Sequence, residues 1–227
     1  MRNLKIPTIV LLDSGIGGVA VLNRLIDNHI YANYIYIADN EFMPYGSKSK
    51  STIRNRANVI LKDISDKYNP DLIIIACNTM STCIDNDCND KVILMKFRKK
   101  SLYLATRLTQ QNLVDYDVIA DANLASLIEK HITNKSKIIK IINNHLRSKG
   151  LEGTKQLVLG CTHYELFEDV FKKYIGDVKC NSECMINQIR PKLKSFSTKT
   201  ECNIVVETTK KSISTQLKIM RLIKKKF

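Results

Sequence analysis

The chain has 227 residues, 44% hydrophobic and 26% charged, with a formal net charge of +14. That is a globular composition with enough apolar material for one large α/β domain or two smaller lobes. No apolar stretch approaches membrane-spanning length. The short run Ile6–Leu12 behind Arg2 and Lys5 ends at Asp13-Ser14-Gly15 without a small-residue cleavage site, which argues against a secretory signal.

The first half alternates strand and helix patterns. Thr8–Leu12 reads as a buried strand followed by a glycine-rich turn. Val19–Asn28 has helical spacing, with Val19, Leu22, Leu25 and Ile26 on one face. Tyr34–Ala38 is a second strand, and Thr52–Lys67 a helix with Ile53, Ala57, Ile60, Leu61 and Ile64 inward. Pro70 stops that helix, and Leu72–Ala76 is a continuous apolar run suited to a buried parallel strand. This order implies right-handed crossovers in a parallel sheet.

The rhythm weakens from Asp85 to Ser101 and then resumes. Strands are expected at Leu102–Ala105, Asp117–Ala120, Gln156–Leu159, Asp177–Cys180 and Asn203–Glu207. Helices are expected at Asn123–His131, Ile138–Ser148, Tyr164–Tyr174, Ser182–Leu193 with a break at Pro191, and Ser212–Lys226.

Seven cysteines behind no export signal point to reduced thiols in the cytoplasm rather than a disulfide framework. Two of them share a context. Leu72-Ile73-Ile74-Ile75-Ala76-Cys77-Asn78-Thr79 parallels Leu157-Val158-Leu159-Gly160-Cys161-Thr162-His163: an apolar strand, a small residue, a cysteine, then polar residues able to open a helix. Ligands of open α/β sheets bind at that end of the strands. A helix start there is expected to lower the thiol pKa. Inverting a carbon centre needs a base on one face and an acid on the other, which a thiolate and a thiol on facing lobes supply.

The loop Asp13-Ser14-Gly15-Ile16-Gly17-Gly18 exposes backbone N–H groups to an anion at a helix start. It lacks the Lys-Ser/Thr ending of a nucleotide P-loop. Asp13 and Ser14 suit an ammonium contact, or a carboxylate tuning a nearby thiol. Pro44-Tyr45-Gly46 follows the second strand and reads by itself as an ordinary turn.

Taken in order, Asp-Ser-Gly-x-Gly-Gly, Pro-Tyr-Gly, Ala-Cys-Asn-Thr, Ala105-Thr106-Arg107-Leu108-Thr109, Leu127-Ile128-Glu129 and Leu-Gly-Cys-Thr-His-Tyr resemble the glutamate racemases, over nearly the whole chain. The resemblance implies an α/β fold of two facing, pseudo-symmetric flavodoxin-like lobes with parallel sheets and the active site between them. Residues 1–95 plus 195–227 would form the first lobe and 96–194 the second. It implies Cys77 and Cys161 as acid/base thiols, assisted by Asp13 and His163. Ser14, Pro44, Tyr45, Gly46, Asn78, Thr79, Thr109 and Thr162 would hold the substrate's amino and carboxylate groups, with Thr106 and Glu129 completing the pocket. It further implies a cytoplasmic, cofactor-independent homodimer without metal, making D-glutamate for peptidoglycan. An aspartate or other acidic amino-acid racemase, or a degenerate racemase fold kept for binding or regulation, are the rival readings.

The chain departs from that family in places. It is shortened between Cys83 and Lys135, Leu108 replaces a small residue between the threonines, and Phe42 stands where a basic residue is common. From Ile189 onward eleven Lys or Arg stand against two Glu, ending in Lys224-Lys225-Lys226. This basic segment reads as a solvated surface, with nucleic-acid contact no more than weak and non-specific and no membrane partner. Cys180 with Cys184, and Cys83 with Cys88, do not have the spacing of a standard zinc site. His29, His131 and His145 read as surface or partly buried residues, and Cys202 as packing.

Overall fold

The computed structural model describes residues 5–85, 90–196 and 202–223. Lys224, Lys225, Lys226 and Cys88 lie outside the described residues. Five parallel strands form one sheet in the order β4-β3-β1-β2-β9: β1 (Thr8–Asp13), β2 (Asn33–Ala38), β3 (Leu72–Ile75), β4 (Val92–Leu94) and β9 (Ile204–Thr208). Four form a second parallel sheet in the order β6-β5-β7-β8: β5 (Leu102–Thr106), β6 (Asp117–Asp121), β7 (Gln156–Gly160) and β8 (Asp177–Cys180). The two-sheet α/β expectation holds.

The period-two geometry of strands explains the apolar run of β1. Ile9 and Leu11 enter the larger core, while Val10 and Leu12 face a second cluster under α2 (Lys50–Tyr68). All four are fully buried, as expected for a central strand covered on both faces. Helix α1 (Val19–Asp27) buries the stripe read from its spacing, with Val21 added. Ser49 caps α2 by accepting from the Thr52 N–H at 3.1 Å. The chain end returns to the first sheet, where Ile204 of β9 pairs with Tyr34 of β2.

Three local expectations need correction. The weak region contains strand β4, which extends the sheet beyond β3. Helix α4 (Arg107–Asn112) had no apolar periodicity to announce it; the Thr106 hydroxyl caps it and Leu108 anchors it in the core. The expected helix from Tyr164 to Tyr174 is two short ones, α7 (Thr162–Glu165) and α8 (Glu168–Phe171). Phe167, at φ −123° and ψ 31°, leaves the helical region between them and packs into the core. The remaining helices are α3 (Asn78–Ser81), α5 (Leu124–His131), α6 (Lys135–Ser148), α9 (Glu183–Ile189) and α10 (Ile213–Leu222). A 3₁₀ turn over Arg190–Leu193 follows α9 and accommodates Pro191.

Candidate active site

Cys77 and Cys161 occupy equivalent places. Each follows the carboxyl end of a central strand, β3 in one sheet and β7 in the other, and each is the residue before a single-turn helix. Both are buried, and both line one cleft. Ser14, Pro44, Tyr45, Gly46, Asn78, Thr79, Thr106, Thr162 and His163 line it too.

The cavity between them is only about 20 Å³. That is room for about one water molecule, so the admission of an amino acid requires the walls to part. Among the described residues no Lys or Arg lines the cleft. The polar groups that line it are side-chain hydroxyls, the Asn78 amide, the two thiols and the His163 imidazole.

Two glycines set how closely the walls approach. A Cβ on Gly17 would lie 2.5 Å from Thr162 Oγ1 and 2.7 Å from the backbone nitrogen of His163. A Cβ on Gly46 would lie 2.8 Å from Thr106 Cβ. Only glycine lets these loops approach Thr106 at the end of β5 and the start of α7 without displacing them. Behind Gly46, the Tyr45 hydroxyl donates to Asp39 at 2.6 Å, and Arg56 holds the same carboxylate at 2.9 and 2.6 Å. Burial raises the Asp39 pKa, but the hydrogen bonds from Arg56, Tyr45 and Thr209 outweigh it and hold the group below the usual carboxylate range. Phe42 packs its ring under the Arg56 guanidinium, 4.7 Å from the ring centre. Leu108 packs in the same cluster as Tyr45.

The Cys77 thiol donates to Ser14 Oγ at 3.7 Å. Its environment overturns the expectation of a lowered pKa. Burial, and then the neighbouring Asp13 charge, push the thiol well above its ordinary range, outweighing the Met80 N–H. A one-turn helix in a dry site stabilises a thiolate less than the loss of water destabilises it.

Asp13 accepts from the Gly15 N–H at 3.0 Å and the Thr162 hydroxyl at 3.1 Å. Burial raises its pKa, against the opposing pull of His163 and these donors. His163 Nδ1 lies 4.0 Å from Cys161 Sγ, and Nε2 lies 2.7 Å from Glu129. Glu129 also accepts from the Ile16 N–H at 3.1 Å. It supports His163 and does not line the cavity. Thr109 and Asp13 likewise stand behind the lining. The Thr79, Thr106 and Thr109 hydroxyls form a triangle with edges of 2.9, 3.1 and 3.0 Å, tying α3 to α4.

Sequence reasoning missed Met43, Ala122, Ala125 and Ser126, which also line the cleft. The last three sit at and just before the start of α5. Their signal was a cluster of small residues beside the apolar positions Leu124 and Ile128, which are buried. The cysteine pair near the carboxyl end of β8 separates: Cys184 donates to the Lys96 carbonyl, and Cys180 to Glu168. Glu168, Cys180 and Glu183 offer three ligand atoms within 4.8 Å of one another. The Arg24 guanidinium already serves both carboxylates, at 3.3 and 3.7 Å.

No family model matches the chain. Curated relatives do. Glutamate racemase 2 of Bacillus subtilis (strain 168) is 32% identical over 192 residues, covering 72% of each chain. The glutamate racemase of Halothermothrix orenii is 31% identical over 195 residues, covering 74% of this chain and 76% of its own. The fold matches glutamate racemase isoform RacE1 from Bacillus anthracis with a TM-score of 0.76 at 22% identity, over 92% of this chain and 91% of that one. It matches Escherichia coli glutamate racemase, solved with L-glutamate and the activator UDP-MurNAc-ala, with a TM-score of 0.76 at 21% identity, over 95% and 94%. With the motifs in register and the same two-sheet fold, the chain belongs to the glutamate racemase family, whose members are amino-acid isomerases.

Proposed function

We propose that this chain interconverts L- and D-glutamate without a cofactor, using Cys77 and Cys161 as its two acid/base groups. The observation that carries this reading is that the two cysteines, from the carboxyl ends of strands in different sheets, line one cleft. A thiolate on one side accepts the Cα proton. The thiol on the other side delivers its own proton to the opposite face of the carbanion. One proton leaves the substrate and one arrives, so the two sulfurs exchange protonation states and the reverse reaction uses the same groups.

In this reading His163, held by Glu129, manages the proton at Cys161, and Asp13 lies next to Cys77 in the electrostatics of the site. Ser14, Pro44, Tyr45, Gly46, Asn78, Thr79 and Thr162 hold the amino and carboxylate groups. Thr106 and Thr109 brace Thr79, and Glu129 works through His163. Residues 1–95 plus 195–227 form the first lobe and 96–194 the second, parting to admit substrate. By family resemblance the enzyme is a cytoplasmic homodimer supplying D-glutamate to peptidoglycan.

The test is circular dichroism of purified protein incubated separately with L- and D-glutamate and with each aspartate enantiomer. Glutamate should lose its signal from either side, faster than aspartate. Activity should survive dialysis against chelator and stop on thiol alkylation. Faster turnover of aspartate would reassign the substrate. No turnover of either acid would leave a racemase fold retained for binding.

A further inference from the structure

Asn78 is the first residue of α3, directly after Cys77, and is 1% exposed. The two ends of its amide have different surroundings. Oδ1 accepts from Asn181 Nδ2 at 2.7 Å. Nδ2 is buried and has no hydrogen-bond partner among the described residues, although Asn78 lines the cleft. Leaving a buried amide N–H without a partner is unfavourable, so this end of the side chain is suited to an acceptor that arrives with a ligand.

Asn181 comes directly after β8 of the second sheet and does not line the cavity. Its own place is fixed. Its N–H donates to the Leu159 carbonyl of β7, two residues before Cys161. The following residue, Ser182, gives both its N–H and its hydroxyl to the buried Glu165 carboxylate, and accepts from Arg24 Nε at 3.0 Å. Asn181 is therefore anchored to the strand that carries Cys161, while it grips the residue beside Cys77.

We infer that Asn181 is a positioning residue: it clamps one end of the Asn78 amide so that the other end meets the substrate in a single orientation. This rests on the reading that Asn78 binds the amino acid. A hydrogen bond to one end of a primary amide restrains rotation about its last torsion. Released, it loses both its direction and the partner of its buried oxygen. Nothing in the sequence motifs marks Asn181, because its role depends on contact with a residue 103 positions away.

The experiment is a double-mutant cycle in racemisation kinetics on the full chain: wild type, Asn181→Ala, Asn78→Ala and the double variant. Asn181→Ala should lower kcat/KM about tenfold, the loss expected for one misplaced hydrogen bond. Asn78→Ala should lose at least as much, and the double variant should match Asn78→Ala within about twofold. Thermal melts report whether each variant is folded; if alanine at 181 leaves too little folded protein, Asn181→Ser, also too short to reach Asn78, takes its place in the cycle. A single variant within about twofold of wild type overturns the inference. So does a double variant that loses the Asn181 factor a second time, since Asn181 then acts independently of Asn78. Absence of racemisation in the wild type instead defeats the underlying functional reading, so the two failures are distinct.

Discussion

The Glu129 carboxylate lies 2.7 Å from Nε2 of His163, whose other ring nitrogen faces the Cys161 sulfur at 4.0 Å. Burial alone depresses an imidazole, but the hydrogen bonds and negative charge of Cys161 and Glu129 reverse that and hold His163 well above its ordinary value. Burial also raises Glu129, yet its bonds to His163 and Ile16 bring it below the usual range. The two directions agree on an ion pair that directs a proton at the Cys161 sulfur. The stability from His163 is fully present below its unfolded pKa of about 6.5 and is lost as pH rises through the raised folded value. That from Glu129 is present above its unfolded value and is lost as pH falls through the lowered one.

Glu129→Gln should accordingly let His163 lose its proton at lower pH. NMR titration of the histidine ring should show the shift, and kcat/KM should fall by about a hundredfold, the lower range for losing a general acid/base group. An imidazole that titrates unchanged in the variant would sink the ion-pair account.

For the thiols, Cys77→Ala and Cys161→Ala should each abolish racemisation in both directions, by at least about a thousandfold. Both residues are small and buried, so melting temperatures should stay near that of wild type. Since Cys77 is pushed up by burial and by Asp13, Asp13→Asn should make Cys77 easier to alkylate than it is in wild type. Near-normal turnover in either alanine variant contradicts the two-thiol reading.

The glycine at 17 offers a test of cleft closure. Gly17→Ala places a Cβ 2.7 Å from the His163 backbone nitrogen, so the α7 turn carrying Thr162 and His163 must shift. A displacement of about 1 Å in such machinery costs about a hundredfold in rate. Gly153→Ala serves as the control: its Cβ meets nothing within 4 Å, but φ is +75°. It should cost about 1 kcal/mol of stability and leave turnover unchanged. Equal activities in the two variants would remove the close approach as a requirement.

Much of this arrangement was legible because its signals are local. The strands β1, β3 and β7 are apolar runs, and Cys77 and Cys161 stand out because their flanks repeat. Strand β4 has three residues and no periodicity to detect, and α4 is mostly polar, held by a cap and by Leu108. The direction of the Cys77 shift is not legible in the sequence because the dominant influences, burial and Asp13, come from packing against β1 and not from the helix that follows. The motifs mark Glu129 but not its partner, since sequence spacing does not reveal which carboxylate meets which imidazole.

Glu165 is 5% exposed, accepts from Ser182, and lies near Arg24. Burial pushes its pKa up to about 7, against the Ser182 hydrogen bonds and the Arg24 charge. Between about 4.5 and 7 the folded protein keeps a proton that the unfolded chain has released, so this group makes stability fall as pH rises through that window and adds no further slope above it. The full effect at pH 8 is up to about 3 kcal/mol, from 1.36 kcal/mol per pKa unit. Glutamine keeps the shape and an acceptor for the Ser182 N–H but does not titrate. Glu165→Gln should therefore gain about 1–3 kcal/mol over wild type at pH 8 and little or nothing at pH 4.5, measured by urea denaturation at both values. Other groups titrate in the same range, so the deciding quantity is the difference between the two proteins. A difference that does not change with pH, or that grows toward acid, would show that Glu165 is already ionised throughout and that Arg24 outweighs its burial.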